Sequence, residues 1–359
     1  MSRKSVLILS YVPFYNRQGF DLHQSLVSVG CRSTLIQLGA KTDAGDRIFG
    51  IKESKPVGTL HAFYVLINLF RFLVRSLFCP KHIIVAIGRP IFPILPLYKK
   101  VFRSEVIYYS LEYHQFSGIA KHMLRTCVDK IIDVEKNRLA RLLGDNGLLI
   151  PSIVVHNMPH LHKQPHGGRL RNYLKTHHGL DNKTPIAIYA GSYQPYVCME
   201  RIVDAARLLS GKGCVVLMSY NIPTTIVSHV PDNVYVVPPV SGDDFYDWLC
   251  DADCALLPYE SSTNFNVQFC SPQKIYDCYL TGVPFIASKR PIIEQALAKD
   301  SSIGELCCFD DVAMIADCIG RIWDRDRESC RERMRALHET VFCYESQERA
   351  LLSFVGMMA

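Results

Sequence analysis

"CSPQKIYDCYLTGVPFIAS", residues 270–288, is the stretch on which the reading turns. Ser271 is a good N-cap, Pro272 suits a first helical position, and Gly282 stands where such a helix would stop. The spacing predicts a helix over 272–281 running straight into a buried strand, "VPFIAS". Lys274 and Asp277 lie three apart and share a face, with Thr281 one turn on. A helix N-terminus carries free N–H groups and the positive end of the dipole, which suits a phosphate. Lys274 would then neutralise a diphosphate near the helix start. Asp277, acceptor-only when ionised, would take both hydroxyls of a ribose. Taken alone, the same two residues also read as a surface pair contributing about 0.2–0.5 kcal/mol.

The surrounding pattern supplies context. Before this helix come "PIAIYAG" (strand), "ERIVDAARLLSG" (helix closed by glycine), "CVVLMSY" and "NVYVVPPV" (strands), "DDFYDWLCDA" (helix) and "CALLPY" (strand). After it come "IIEQALAK" (helix), "GELCCF" (short strand) and an amphipathic helical tail from about 311. Strands alternating with helices predict a parallel sheet covered on both faces. Ligands of such sheets bind on the loops beyond the carboxyl ends of the strands.

The first half repeats the theme. "SVLILSYVP" reads as a buried strand, "GFDLHQSLVSVGC" as a helix ending at Gly30, and "RSTLIQLG" as a second strand. "HIIVAIG" follows as a strand, "PIFPILPLYKKVFRS" as a helix, and "EVIYYSLEYH" as a strand that places Glu112 and His114 at its end. "IAKHMLRTCVDKIIDVEKNRLARLLG" reads as one helix. The polar, basic, histidine-rich stretch 160–184 breaks the pattern and reads as a solvated linker, not a metal site. The organisation expected is an N-terminal Rossmann-like domain at 1–165 and a linker at 166–183. A C-terminal Rossmann-like domain at 184–335 follows, with a final helix at 336–359 returning to the first domain. The fold class is α/β with two parallel sheets and a cleft between them.

Composition narrows the partners. The 359 residues are 48% hydrophobic and 21% charged, which suits two globular cores. A net charge of +6 favours anionic ligands or an anionic membrane surface and falls short of a nucleic-acid footprint. The 14 cysteines are scattered through apolar stretches with no CxxC pair, and no secretory signal precedes them, so a reducing cytoplasm is expected. "LHAFYVLINLFRFLVRSLF", 60–78, has an uncharged run too short for a span of about 20 residues. It reads either as a core helix with a basic edge or as a helix resting on an anionic bilayer at the cytoplasmic face.

Three segments of the second half resemble a glycosyltransferase of the GT-B kind, similar to family 4 (group 1) enzymes that use nucleotide-sugars. They are "IAIYAGSYQPYVCMERIVDAARLL", "VSGDDFYDWLCDADCALLPYESS" and "SPQKIYDCYLTGVPFIAS". The likeness covers most of 184–290, and the three pieces occur in the family's order. The first half resembles the family only in general pattern.

This resemblance implies a GT-B fold and transfer of a sugar from a nucleotide diphosphate sugar, UDP placed before GDP, to an acceptor hydroxyl. It also implies retention of anomeric configuration, no metal and no cofactor beyond the co-substrate. Asp277 stands where the family has the glutamate that bonds the ribose. Asn264 to Cys270, with Val267 and then Ser271, matches the loop that meets donor sugar and phosphate. Gly191 and Ser192, with Tyr193, match the loop after the first C-domain strand, and Pro238 to Ser241, including Val240, lies where the base packs. Gly19 would let an N-terminal loop approach the donor. Lys274, Glu112 and His114 are the catalytic candidates. A polysaccharide, glycolipid or lipid-linked acceptor is expected, with no nucleic acid partner.

Two departures matter. Phe269 stands where the family often has an acid, and "GSYQPYVCMER" offers nothing basic until Arg201 where the family often has a basic pair. A nucleotide-sugar epimerase of the same fold and a non-catalytic nucleotide-sugar-binding paralogue therefore stay open as alternatives.

Overall fold

The computed structural model describes residues 5–11, 17–38, 48–51, 67, 70, 74, 83–160, 165–240, 243–260 and 264–357. The chain divides into two compact units, Met1–Asn157 with Gln347–Ala359, and Met158–Ser346.

The first unit holds strands β1 (Ser5–Tyr11), β2 (Arg32–Leu38), β3 (Ile48–Ile51), β4 (Ile83–Ile87), β5 (Glu105–Ser110), β6 (Lys130–Asp133) and β7 (Ser152–Val154). They form one parallel sheet in the order β3-β2-β1-β4-β5-β6-β7. The second unit holds β8 (Ile186–Ser192), β9 (Cys214–Tyr220), β10 (Val234–Val237), β11 (Cys254–Leu257), β12 (Phe285–Ala287) and β13 (Gly304–Leu306). Their order is β10-β9-β8-β11-β12-β13, again all parallel. In each sheet the winding direction reverses once, at β1/β4 and at β8/β11. Such switch points open a crevice at the carboxyl ends of the strands.

The strands read as unbroken apolar runs because both faces of each sheet are covered. All five residues of β4 and all four of β11 are buried. Helix Met199–Leu208 buries Met199, Ile202, Val203 and Ala206 against the second sheet, the spacing of one helical face.

Several elements differ from the sequence reading. The stretch 119–144 is not one helix: Gly118–Cys127 and Lys136–Asn146 flank strand β6. Asp129 breaks the helical run because its carboxylate accepts the Val106 N–H at 2.8 Å and pairs with Lys99. Ile131 and Ile132, adjacent and both fully buried, then point to opposite sheet faces as only a strand allows. The "PIFPILPLYKK" segment forms a 3-10 helix, Arg89–Ile94, and a π turn, Leu97–Val101. Pro93 and Pro96 remove the donors a regular α-helix would use there. β5 stops at Ser110, so Glu112 and His114 lie in the turn beyond it.

The expected linker 166–183 lies inside the second unit and holds a helix, Arg169–His178. Leu170 and Leu174, one turn apart, are fully buried. The Asp251 carboxylate caps its start, accepting N–H groups from Gly168, Leu170 at 2.8 Å and Arg171 at 3.2 Å. Leucines four apart were the legible signal; the cap comes from a residue about 80 positions away. The basic-aromatic segment 60–78 lies outside the described residues except Ile67, Phe70 and Val74, which are helical and exposed. Among the described residues no helix is long and apolar enough to cross a membrane.

Asp251 is 5% exposed and serves three backbone donors at once. Asp251→Ala leaves those donors unpaired, so urea unfolding should report a loss of about 1–3 kcal/mol. An unchanged midpoint would show that the cap is dispensable.

Candidate functional site

The helix quoted at the outset spans Gln273–Thr281. Gly282 ends it at φ 70, its N–H turned to the carbonyls of Cys278 and Tyr279. The start differs by one residue from expectation. Pro272, in extended conformation, is the N-cap and provides no side-chain bond. Ser271 precedes the N-cap and is buried, with its hydroxyl 3.4 Å from the Tyr276 hydroxyl.

This helix sits beside the β8/β11 switch. Along β8 the pleat puts Tyr189 and Gly191 on one face. The Lys274 ammonium lies 4.6 Å from the centre of the Tyr189 ring and 3.5 Å from its hydroxyl. Tyr259, just past β11, presents a second ring at 5.7 Å. The Tyr189 hydroxyl donates to the Ser192 carbonyl at 2.8 Å and so ties the aromatic ring to the last residue of β8. Aromatic faces attract a cation in this geometry.

Gly191 is required here for two reasons. Its φ is +145, a conformation that disfavours any side chain. A Cβ on it would lie 2.7 Å from both Cε and Nζ of Lys274. The missing side chain makes the space that the lysine fills. Gly191 and Ser192, expected in the loop after the first strand of this unit, are the last two residues of β8; the loop beyond carries no basic residue of its own, and the cation at this strand end comes from the neighbouring helix.

Burial lowers the Lys274 pKa to about 8, against the raising influence of Asp277. Lys274 has no carboxylate within salt-bridge distance among the described residues. Asp277 is 4% exposed and accepts the Tyr246 hydroxyl at 3.2 Å. Lys274 and Asp277 border one small cavity of about 10 Å³, together with Ala190 and Phe245. Tyr246 was not among the expected site residues, and neither were Tyr189 and Tyr259. Strand alternation from Gly191 back to Tyr189 was the signal that could have found one of them.

A further residue absent from the sequence reading is Arg290, only 8% exposed. Its Nε donates to the Val267 carbonyl at 2.8 Å and its Nη2 to the Glu260 carbonyl at 2.9 Å. One guanidinium thus joins two carbonyls, seven residues apart, of the segment between β11 and the helix. Within that loop Asn264 is exposed and caps the short helix Phe265–Gln268 through its side chain, which accepts the Asn266 N–H at 2.9 Å. Val267 is buried, and Phe269 packs its ring 4.6 Å from that of Phe265.

The remaining residues spread out. Ser192 is exposed at the end of β8. Tyr193 folds back on the sheet, its N–H bonded to the Tyr220 carbonyl at 3.1 Å and its hydroxyl 3.4 Å from Glu200. Pro238 and Val240 follow β10, two strands from β8, or about 10 Å along the sheet. Ser241 lies outside the described residues.

In the first unit, Gly19 is not in a loop. It is buried in the first turn of helix Arg17–Ser28. Beside it, Gln18 donates to the Asn157 side chain at 2.9 Å. Glu112 is exposed, and its carbonyl accepts from Ser110 at 3.2 Å. His114 is half-buried with its ring edge-on to Phe116. Burial lowers its pKa, with Arg89 and Arg138 pushing the same way against Glu112. His114 is therefore a neutral imidazole near pH 7, able to donate or accept.

No protein-family model matches the sequence, and no curated protein matches it. Solved structures do match the fold. Anabaena HepE in complex with UDP and glucose superposes with a TM-score of 0.71 at 11% identity, over 99% of this chain and 100% of that one. A glycosyltransferase from Rickettsia africae gives 0.72 at 12% identity, over 98% of both chains. The chain has the GT-B fold. WaaG, a glycosyltransferase involved in lipopolysaccharide biosynthesis, shares that fold with a TM-score of 0.64 at 10% identity, over 98% of this chain and 100% of that one. In GT-B terms the second unit carries the switch point at β8/β11, with Lys274 and Gly191 beside it.

The tyrosine-lined setting gives Lys274 a distinctive titration. With lysines reductively ¹³C-methylated, one NMR resonance should titrate near pH 8, against about 10.4 for ordinary lysines. It should vanish in Lys274→Ala and move toward the ordinary value in Gly191→Ala, where the new Cβ expels the side chain. A Lys274 resonance titrating with the bulk would contradict its burial.

Proposed function

We propose that this chain is a glycosyltransferase that moves a sugar from a nucleotide diphosphate sugar, UDP before GDP, to an acceptor hydroxyl. The observation that carries the reading is the Lys274 ammonium held against the end of β8, at Gly191 and Tyr189. It supplies the cation that the loop itself lacks, at the switch point of a GT-B sheet. The UDP and glucose seen in HepE, which has the same fold, support the choice of donor.

The roles follow from position. Lys274 and the free N–H groups at the start of its helix stabilise the leaving diphosphate as its charge grows. The ribose is assigned to Asp277, oriented by Tyr246, and the base to the Pro238–Val240 turn. Gly191, Ser192 and the Asn264–Val267 segment meet the phosphates and donor sugar, with Arg290 fixing the segment. Glu112 and His114 are assigned to the acceptor, and Gly19 to close packing at the start of its helix. Retention and metal independence belong to the same proposal, as do a polysaccharide, glycolipid or lipid-linked acceptor and a cytoplasmic setting. The exposed Ile67, Phe70 and Val74 support contact of the 60–78 segment with an anionic bilayer.

A second reading, nucleotide-sugar binding without turnover, is favoured by one observation. Phe269, where the family often has an acid, is packed on Phe265 and offers no carboxylate. Product analysis separates the readings. A transferase yields UDP and a glycosylated acceptor, an epimerase a changed nucleotide-sugar, and a binding protein neither.

Isothermal titration with UDP-glucose and GDP-mannose tests the core of the proposal. Lys274→Ala should weaken donor binding about thirtyfold, the effect of losing about 2 kcal/mol of charge-assisted bonding. Because the cation is present below its pKa and lost above it, wild-type affinity should fall as pH rises through about 8. The Lys274→Ala variant should show no such limb. Absence of binding by any nucleotide-sugar would overturn the reading. Flotation with phosphatidylglycerol vesicles tests the bilayer contact: Phe70→Asp should reduce bound protein severalfold, and wild type that stays off the vesicles would remove it.

A further inference from the structure

The second unit has another pocket, of about 360 Å³, at the opposite end of its sheet. Pro185, Asp253 and Pro284, the residues just ahead of β8, β11 and β12, line it. It therefore lies at the amino ends of the strands, away from the switch-point loops. The size falls in the range of small-molecule sites, about 300–1,000 Å³.

Its walls are strongly cationic. Arg171, Lys183, Arg325 and Arg327 line it against the single carboxylate of Asp253. That carboxylate is already shared, with Arg171 Nη2 at 2.7 Å and Arg327 Nε at 2.8 Å. Arg325 pairs with Glu305 at 2.5 Å, but Glu305 also pairs with Arg321 at 2.6 Å. Two carboxylates thus serve four guanidiniums, and the Lys183 ammonium has no carboxylate within salt-bridge distance among the described residues. Burial lowers the Arg327 pKa, and the nearby Arg331 and Arg171 push the same way against Asp253. Charges of one sign crowded in a concave, half-buried place repel one another until an anion enters.

The donors suit a phosphate. A guanidinium carries five N–H groups in a planar fork. Arg171 spends three of its N–H groups on the Asn182 and Thr184 carbonyls and Asp253, Arg325 makes two bonds, and Arg327 makes one, to the Asp251 carbonyl, beside its ion pair with Asp253. The three arginines stand on separate segments, helix Arg169–His178, the turn after Trp323 and the start of helix Arg327–Leu337, an arrangement that suits the several oxygens of a phosphate better than one planar carboxylate. Trp323, from the end of helix Val312–Trp323, adds an aromatic wall, packed so closely on Gly213 that a Cβ there would sit 2.6 Å from the indole.

We propose that this pocket binds a small molecule bearing a di- or polyphosphate group, at a site separate from the donor site. It does not depend on the transferase reading, because none of its residues belongs to the switch-point site.

Inorganic pyrophosphate is the probe, titrated calorimetrically into the full chain carrying Lys274→Ala to weaken the donor site. Binding should persist in that background. It should be accompanied by a change in Trp323 emission when Trp248→Phe leaves one tryptophan. Adding Lys183→Glu, at an exposed position whose side chain makes no internal bond among the described residues, should weaken it about tenfold, since reversing one charge near an anion removes roughly 1–2 kcal/mol. Arg327→Gln should weaken it further. Binding that disappears in Lys274→Ala would overturn the proposal, as would an affinity indifferent to Lys183→Glu. Wild-type chain that binds pyrophosphate but no nucleotide-sugar would strike the donor reading and leave this one standing.

Discussion

A lysine ammonium lying on the face of a buried tyrosine is the contact around which the second unit is arranged. Lys274 can reach Tyr189 only because Gly191 has no side chain, and only because β8 and β11 lie side by side at the sheet's switch point. The tyrosine hydroxyl in turn bonds the Ser192 carbonyl, so cation, ring and strand end are positioned together. Removing the ring, the glycine or the lysine would disturb the other two.

Single guanidiniums and carboxylates perform a similar task elsewhere, each joining segments far apart in sequence. Arg290 holds the carbonyls of Glu260 and Val267. Asp251 gathers the first N–H groups of helix Arg169–His178. Asp253 accepts the Ile186 N–H at the start of β8 while pairing with Arg171 and Arg327. Each is largely buried, where an unsatisfied backbone group costs about 1–3 kcal/mol. The polar network therefore complements the apolar core: the core sets which elements pack, and the network sets where their ends stop.

Much of the fold was legible because parallel strands buried on both faces leave unbroken apolar runs, as in "IIVAI" and "CALLPY". Gly282 and the extent of the helix before it were readable from local chemistry alone. The strand "KIID" was not, because four residues between two helical patterns carry no period of their own. It becomes a strand by pairing with β5 and β7. Helix Arg169–His178 was hidden by its polar composition, since only Leu170 and Leu174 face the core.

The site divides along the same line. Sequence by itself determined two parallel-sheet units, a helix with Lys274 and Asp277 on one face, and a glycine at the end of the first strand of the second unit. These follow from hydrophobic period, capping residues and backbone freedom, all local in the chain. Tertiary structure decided that the glycine makes room for the lysine and that Tyr189 and Tyr259 receive its charge. It also decided that Tyr246 orients Asp277, and that four basic residues from 171 to 327 meet at the far end of the sheet. Those relations join residues from 15 positions apart, Tyr259 and Lys274, to 156 apart, Arg171 and Arg327, and no local propensity encodes such pairings; packing of the parallel sheet and its helices does.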